Sequence, residues 1–258
     1  MRVEAPASTL RHLMDNLAIR VRGPETGPPL ILANALGTSS EMWAPQIPAL
    51  IPRYRVITYE PKARPTVEAL ADDVLELARR LDLGSFSFCG LSLGAMVGIR
   101  LALSAPESLG CLVLACTSAR FGTPAEWHER ADLVGARGLE AVAHDALAKW
   151  FTPDFADVAP FLEMQLATPR ADYALGLEAI AGFDVREELG AVRAPTLVIA
   201  GAEDTATTAA DAAFLAEHIP GARLVLIEGA AHLANVEQAD EFNGALLAHL
   251  DRWTTRTR

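Results

Sequence analysis

Residues 90–94 read Gly90-Leu91-Ser92-Leu93-Gly94, a Gly-x-Ser-x-Gly pentapeptide of the kind that sets a serine on a sharp strand-to-helix turn. A serine hydroxyl is a weak nucleophile at neutral pH. It attacks a carbonyl only when a histidine takes its proton and an acid holds that histidine. The flanking residues suit such a turn. Ser85-Phe86-Ser87-Phe88-Cys89 alternates as a strand does, and Ala95 to Ala105 is apolar apart from Arg100 and Ser104, as in a buried helix, with Pro106 closing it. The small residues at either end let the strand and the helix pass close together.

The partners lie downstream. Pro195-Thr196-Leu197-Val198-Ile199-Ala200-Gly201 reads as a buried parallel strand, with Glu203 and Asp204 just past its carboxyl end. Open α/β sheets place their sites there. Asp204 is the expected acid, with Glu203 its competitor. Arg223-Leu224-Val225-Leu226-Ile227 reads as a further strand and runs through Glu228-Gly229-Ala230-Ala231 into His232, the expected general base, with a helix from about Val236. His12, His128, His144, His218 and His249 sit in polar or helical surroundings and read as surface or half-buried residues. The oxyanion formed on attack needs two backbone N–H donors. Leu93, after the nucleophile, is one. The other is expected from Ala35 or Leu36, in the Asn34-Ala35-Leu36-Gly37 loop after the strand Pro29–Ala33.

Strand and helix signals alternate from about residue 17, which argues an α/β class with a mostly parallel sheet. From about Phe121 to Leu189 strand signals vanish, and Pro124 to Val134, Leu139 to Trp150 and Ala171 to Ala181 read as helices. We therefore expect a core made of 1–120 and 190–258 and a helical cap, 121–189, inserted over the strand ends. A cap excludes water and shapes a pocket. Its notable side chains are Trp127, Arg130 and Trp150. Arg130 reads either as the partner of a substrate carboxylate, which a guanidinium pairs through two donors, or as a solvated helix residue.

Composition narrows the classes. The chain has 258 residues, 51% of them hydrophobic, which is ample for one core. Its net charge of −11 with no basic run argues against a nucleic-acid partner. Three cysteines, Cys89, Cys111 and Cys116, in or beside strands read as buried reduced thiols, and no Cys/His spacing suggests zinc. Met1 to Asn16 lacks the apolar core of a secretory signal, and no stretch reaches transmembrane length. The expectation is a cytoplasmic protein, monomer or homodimer, acting on a small molecule with no membrane and no cofactor or metal.

The chain resembles the 3-oxoadipate enol-lactonases of the α/β-hydrolase superfamily from Leu17 to Leu250. The resemblance is carried by Asn34-Ala35-Leu36-Gly37-Thr38 with Met42-Trp43, by Phe88 to Gly94 and by Trp150-Phe151-Thr152-Pro153. Thr196 to Gly201 with Asp204, and Ala231-His232-Leu233 with Glu237-Gln238, continue it. It implies the α/β-hydrolase fold with helices on both faces of the sheet, the order Ser, Asp, His for the triad, and hydrolysis of an acid-bearing lactone. Where many relatives carry His-Gly, this chain has Asn34-Ala35.

One departure is large. After the fourth strand of the family pattern, here Arg55–Tyr59, the relatives carry Asp-x-Arg-Gly-His-Gly and a long loop. This chain crosses in Glu60-Pro61-Lys62-Ala63-Arg64-Pro65 to Thr66, a helix N-cap. Six residues replace about twice that number, so the pocket is expected either to be wider or to be filled by a sunken cap. The residues themselves point to a cofactor-free serine hydrolase cleaving an ester or lactone through an acyl-enzyme. A cyclase or lyase on the same fold, or a ligand-binding protein with a residual triad, are the alternatives.

Overall fold

The computed structural model describes residues 18–254; Met1–Asn16, with His12, lie outside the described residues. Seven strands form one sheet: β1 (Ile19–Arg22), β2 (Pro29–Ala33), β3 (Arg55–Tyr59), β4 (Phe86–Leu91), β5 (Leu109–Ala115), β6 (Thr196–Gly201) and β7 (Arg223–Ile227). Their order is β1-β3-β2-β4-β5-β6-β7. Among the described strands only β1 runs antiparallel, pairing with β3 through Ile19↔Tyr59. The strand that is fourth in the family pattern is therefore third among the described strands.

The strands are almost wholly buried in the middle of the sheet, because both faces are covered. One face carries α2 (Val67–Arg80), α3 (Leu93–Ser104) and α8 (Ala209–His218), packed on Ile31, Ile57, Phe88 and Leu112. The other carries α10 (Ala239–Thr254), whose Phe242, Leu246 and Leu250 meet Leu30, Val56, Cys89 and Val113. Alternate strand residues feed the two cores, as a pleat requires. The short α1 (Ile47–Leu50) lies on the second face. Thr66 caps α2 as expected, its Oγ1 accepting from the Ala69 N–H.

The helix expected from Val236 is split into α9 (Ala234–Glu237) and α10. Between β5 and β6 lie α4 (Pro124–Arg137), α5 (Glu140–Trp150), α6 (Ala159–Leu166) and α7 (Arg170–Ala181). Sequence reading named no helix at α6, which is short and has Pro160 in its first turn. The ends of this insertion are joined: Arg120 and Asp184 form an antiparallel bridge, and the Val185 N–H donates to the Ala119 carbonyl. The insertion has a small core of its own, Val134, Leu139, Val142, Tyr173 and Leu177, against which Leu36 of the sheet domain packs. No described helix is long and apolar enough to cross a membrane. The three cysteines are free and buried, and burial pushes the Cys111 thiol up to about 11, so none is poised to react.

Candidate active site

Ser92 stands between β4 and α3 with φ 57° and ψ −118°, a region that non-glycine residues rarely occupy. The strain is held by the surroundings. The Ser92 N–H donates to the Ala115 carbonyl, and Thr117 Oγ1 donates to the Ser92 carbonyl. Gly94 is required by close approach, since a β-carbon there would sit 2.3 Å from the Ala33 carbonyl oxygen. The turn thus aims the Ser92 side chain past the end of the sheet into a cavity of about 350 Å³ beneath the insertion.

His232 lines that cavity too. Its Nδ1 lies 2.8 Å from Asp204 Oδ2, and both side chains are buried. A carboxylate only accepts, so Nδ1 carries the proton and Nε2 is the free base. No hydrogen bond joins Ser92 Oγ to His232 among the described residues; catalytic hydrogen bonds are commonly loose before substrate arrives.

Asp204 accepts four hydrogen bonds. Ala206 N–H (2.7 Å) and Thr207 N–H (3.0 Å) reach Oδ1, while Thr207 Oγ1 (2.9 Å) and His232 reach Oδ2. Burial by itself pushes this carboxyl up, but the histidine and the Thr207 donors outweigh it and hold it below the usual carboxylate range. Thr207 was invisible to sequence reading, since a threonine three residues past the acid carries no signal until the loop folds back.

The competitor, Glu203, is occupied elsewhere. Its carboxylate accepts from the Gly229 and Ala230 N–H groups and braces the turn before His232. Glu237, noted only as a shared residue, has a larger role. Its Oε2 accepts from the Ala231 N–H, while its Oε1 accepts from the N–H and the hydroxyl of Thr152. On the other side of His232, the Leu233 N–H donates to the Trp150 carbonyl. The histidine loop is therefore tied on both sides to the end of α5. Glu237→Ala releases one tie. A misplacement of about 1 Å costs ~100-fold in rate, so kcat for an activated ester is expected to fall toward that order with KM little changed. A variant that melts earlier but keeps its kcat would show that Glu237 serves stability alone.

Leu93 opens α3, where a helix has no internal partner for its N–H. The Ala35 N–H is turned toward Met42 Sδ at 3.4 Å. Leu36, the other alternative, lines the cavity.

Trp127, Arg130 and Trp150 all line the cavity. Trp127 Nε1 donates to the Phe121 carbonyl and its ring meets Phe121 edge-on. Arg130 is half-buried and donates to the Val142 carbonyl at 3.3 Å. Lys149 joins it at the wall. Arg120 is a structural residue, paired with Asp184. Of the other described histidines, His128, His144 and His218 are exposed as expected, but His249 is buried, its Nε2 at 3.2 Å from the Pro195 carbonyl oxygen. Its helix face turns inward onto the sheet together with Leu246 and Leu250. No group of His, Cys, Asp and Glu suited to a metal ion occurs among the described residues.

A seven-stranded, mostly parallel sheet, a strained serine at a strand-to-helix turn and an acid–histidine pair after two later strands together define a class. The sequence pattern of the alpha/beta hydrolase fold matches residues 28–239, and the chain belongs to that family.

Within the family it stands beside the enol-lactonases, as its motifs suggest. It is 37% identical to 3-oxoadipate enol-lactonase 2 of Acinetobacter baylyi, over 90% of this chain and 91% of the relative. The crystal structure of the enol-lactonase from Burkholderia xenovorans superposes with a TM-score of 0.88 at 35% identity, over 91% and 96% of the two chains. A hydrolase from Pseudomonas aeruginosa gives the same TM-score at 40% identity, over 91% and 94%.

Proposed function

We propose that the protein is a cofactor-free serine hydrolase that opens an acid-bearing ester or lactone through an acyl-enzyme. The observation that carries this reading is the buried Asp204–His232 hydrogen bond in a chain whose strained Ser92 opens into the same cavity. Ser92 Oγ attacks the carbonyl carbon and passes its proton to His232 Nε2. Asp204 holds the ring and stabilises the imidazolium. The tetrahedral oxygen takes the N–H groups of Leu93 and Leu36. As the bond to the leaving oxygen breaks, His232 returns the proton to it. Water then attacks the acyl carbon, giving its proton to His232; the bond to Ser92 Oγ breaks as His232 returns that proton to it, and the acid product leaves. In a lactone the leaving oxygen stays tethered to the acyl group. If it leaves as an enol it tautomerises to a ketone, so ring opening does not reverse.

The named activity of the enol-lactonase relatives supports a substrate of this kind. The enzyme is read as cytoplasmic, a monomer or homodimer acting on a small molecule. Steady-state assays on activated esters and lactones, paired with an anilide of the same acid, test the proposal. Esters and lactones are expected to turn over with kcat/KM above ~10⁴ M⁻¹s⁻¹. Failure of every ester and lactone, with the protein folded, would refute it.

A further inference from the structure

Beside the Glu60–Pro65 connection after β3 lies a second cavity of about 410 Å³, which shares Leu36 with the Ser92 cavity. Its floor is the Glu60–Arg64 loop and its roof is the turn from α6 to α7. The insertion does not fill this space. Leu36 borders both cavities, and its side chain seats against Gly176 of α7, where a β-carbon would lie 2.4 Å from Leu36 Cδ1. Leu93 also lines the second cavity. Both residues assigned to the oxyanion therefore face it.

The polar groups of this cavity differ in how far they are committed. Arg64 is held by both oxygens of Asp73, at 2.7 Å each. Glu60 accepts from the Ser40 N–H and from Asn34 Nδ2. Asp172 stands exposed in the first turn of α7. Lys62 is half-buried and has no ion pair among the described residues. Asn34 is 5% exposed. Its Nδ2 is oriented by two acceptors, the Tyr59 carbonyl and Glu60, which leaves Oδ1 buried with no partner. A buried acceptor left unpaired costs free energy that a ligand donor recovers.

We infer that this cavity is a second compartment of the active site, taking a carboxylate-ended arm of the substrate whose carbonyl lies at Ser92. Lys62 pairs the carboxylate, Asn34 Oδ1 accepts from an O–H or N–H on the arm, and Leu36 divides the arm from the reacting carbonyl. The inference rests on the serine-hydrolase reading for the position of the carbonyl, but its binding step stands apart from turnover.

The test uses the p-nitrophenyl ester of an aliphatic diacid with its second carboxyl free, against the same ester methyl-capped. The free acid is expected to be the better substrate of the wild-type enzyme. Lys62→Met is expected to lower its kcat/KM by roughly 10–100-fold, mainly through KM, as loss of one charge-assisted hydrogen bond would, and Lys62→Arg to keep most of it. An unchanged free-acid to methyl-capped ratio in Lys62→Met, or a ratio that collapses in Arg130→Met instead, overturns the inference. Calorimetric binding of the free-acid ester to Ser92→Ala protein, with and without Lys62→Met, reads the compartment without turnover. A weaker affinity in the double variant supports it and an equal affinity overturns it. Failure of the hydrolase reading looks different: the wild-type enzyme turns over neither ester, whatever the binding shows.

Discussion

Ser92→Ala is expected to reduce kcat on activated esters by on the order of 10⁶-fold while leaving the fold in place. Loss of the nucleophile in a serine triad typically costs about that much, and what remains comes from the oxyanion donors and binding. The fold should survive because alanine keeps the β-carbon at the same strained backbone position. The anchors of the turn are main-chain groups, the Ser92 N–H on Ala115 and the Ser92 carbonyl on Thr117. No hydrogen bond of Ser92 Oγ is lost among the described residues, so the stability change should stay within about 1 kcal/mol. Kinetics and a melting curve on one preparation check both halves. A well-folded variant that keeps a tenth of the wild-type rate would remove Ser92 from the mechanism.

Asp204→Asn is expected to cost about 10⁴-fold in kcat, because an amide presents a donor to His232 and favours the wrong tautomer. Glu203→Gln should cost less than about tenfold, since Glu203 braces Gly229 and Ala230 without touching the ring. The two acids are adjacent in sequence, so this contrast tests the structure's choice between them. The same pair predicts a pH effect. The folded pKa of Asp204 lies below its unfolded value of about 3.9. The stability that its ionised form contributes is therefore fully present above that pH and is lost as pH falls through the lower folded value. Denaturant melts should show the gap between wild type and Asp204→Asn closing only below about pH 4. A larger rate loss in Glu203→Gln than in Asp204→Asn would reverse the assignment.

The parts of the site that were legible in the sequence are those fixed by local rules. A strained turn needs small residues around Ser92, and a buried parallel strand ends where its apolar run ends, which put Asp204 and His232 at the right edge of the sheet. The helical stretch between β5 and β6 was legible because strand alternation stops there. What stayed hidden depends on chain segments meeting in space. Thr207 matters only because the loop after β6 folds its hydroxyl back onto Asp204. Glu237 matters because α9 brings it to Thr152, 85 residues earlier in the chain. The proposed use of Leu36 rather than Ala35 rests on Met42, whose sulfur takes the Ala35 N–H. The shortness of the Glu60–Pro65 connection could be counted, but whether the cap would sink into the gap could not. The insertion keeps its own core, with Leu36 packed against it, and a cavity lies beside the connection.

The central claim is that Ser92 carries the acyl group. Acid quenching during turnover of a slowly deacylated ester, followed by peptide mass mapping, reads it directly. The account predicts one acyl group per chain, on the peptide containing Ser92, and none on that peptide in Ser92→Ala. Turnover with no acylated peptide at any quench time, or an acyl group on a different residue that forms and decays at the rate of turnover, would contradict it.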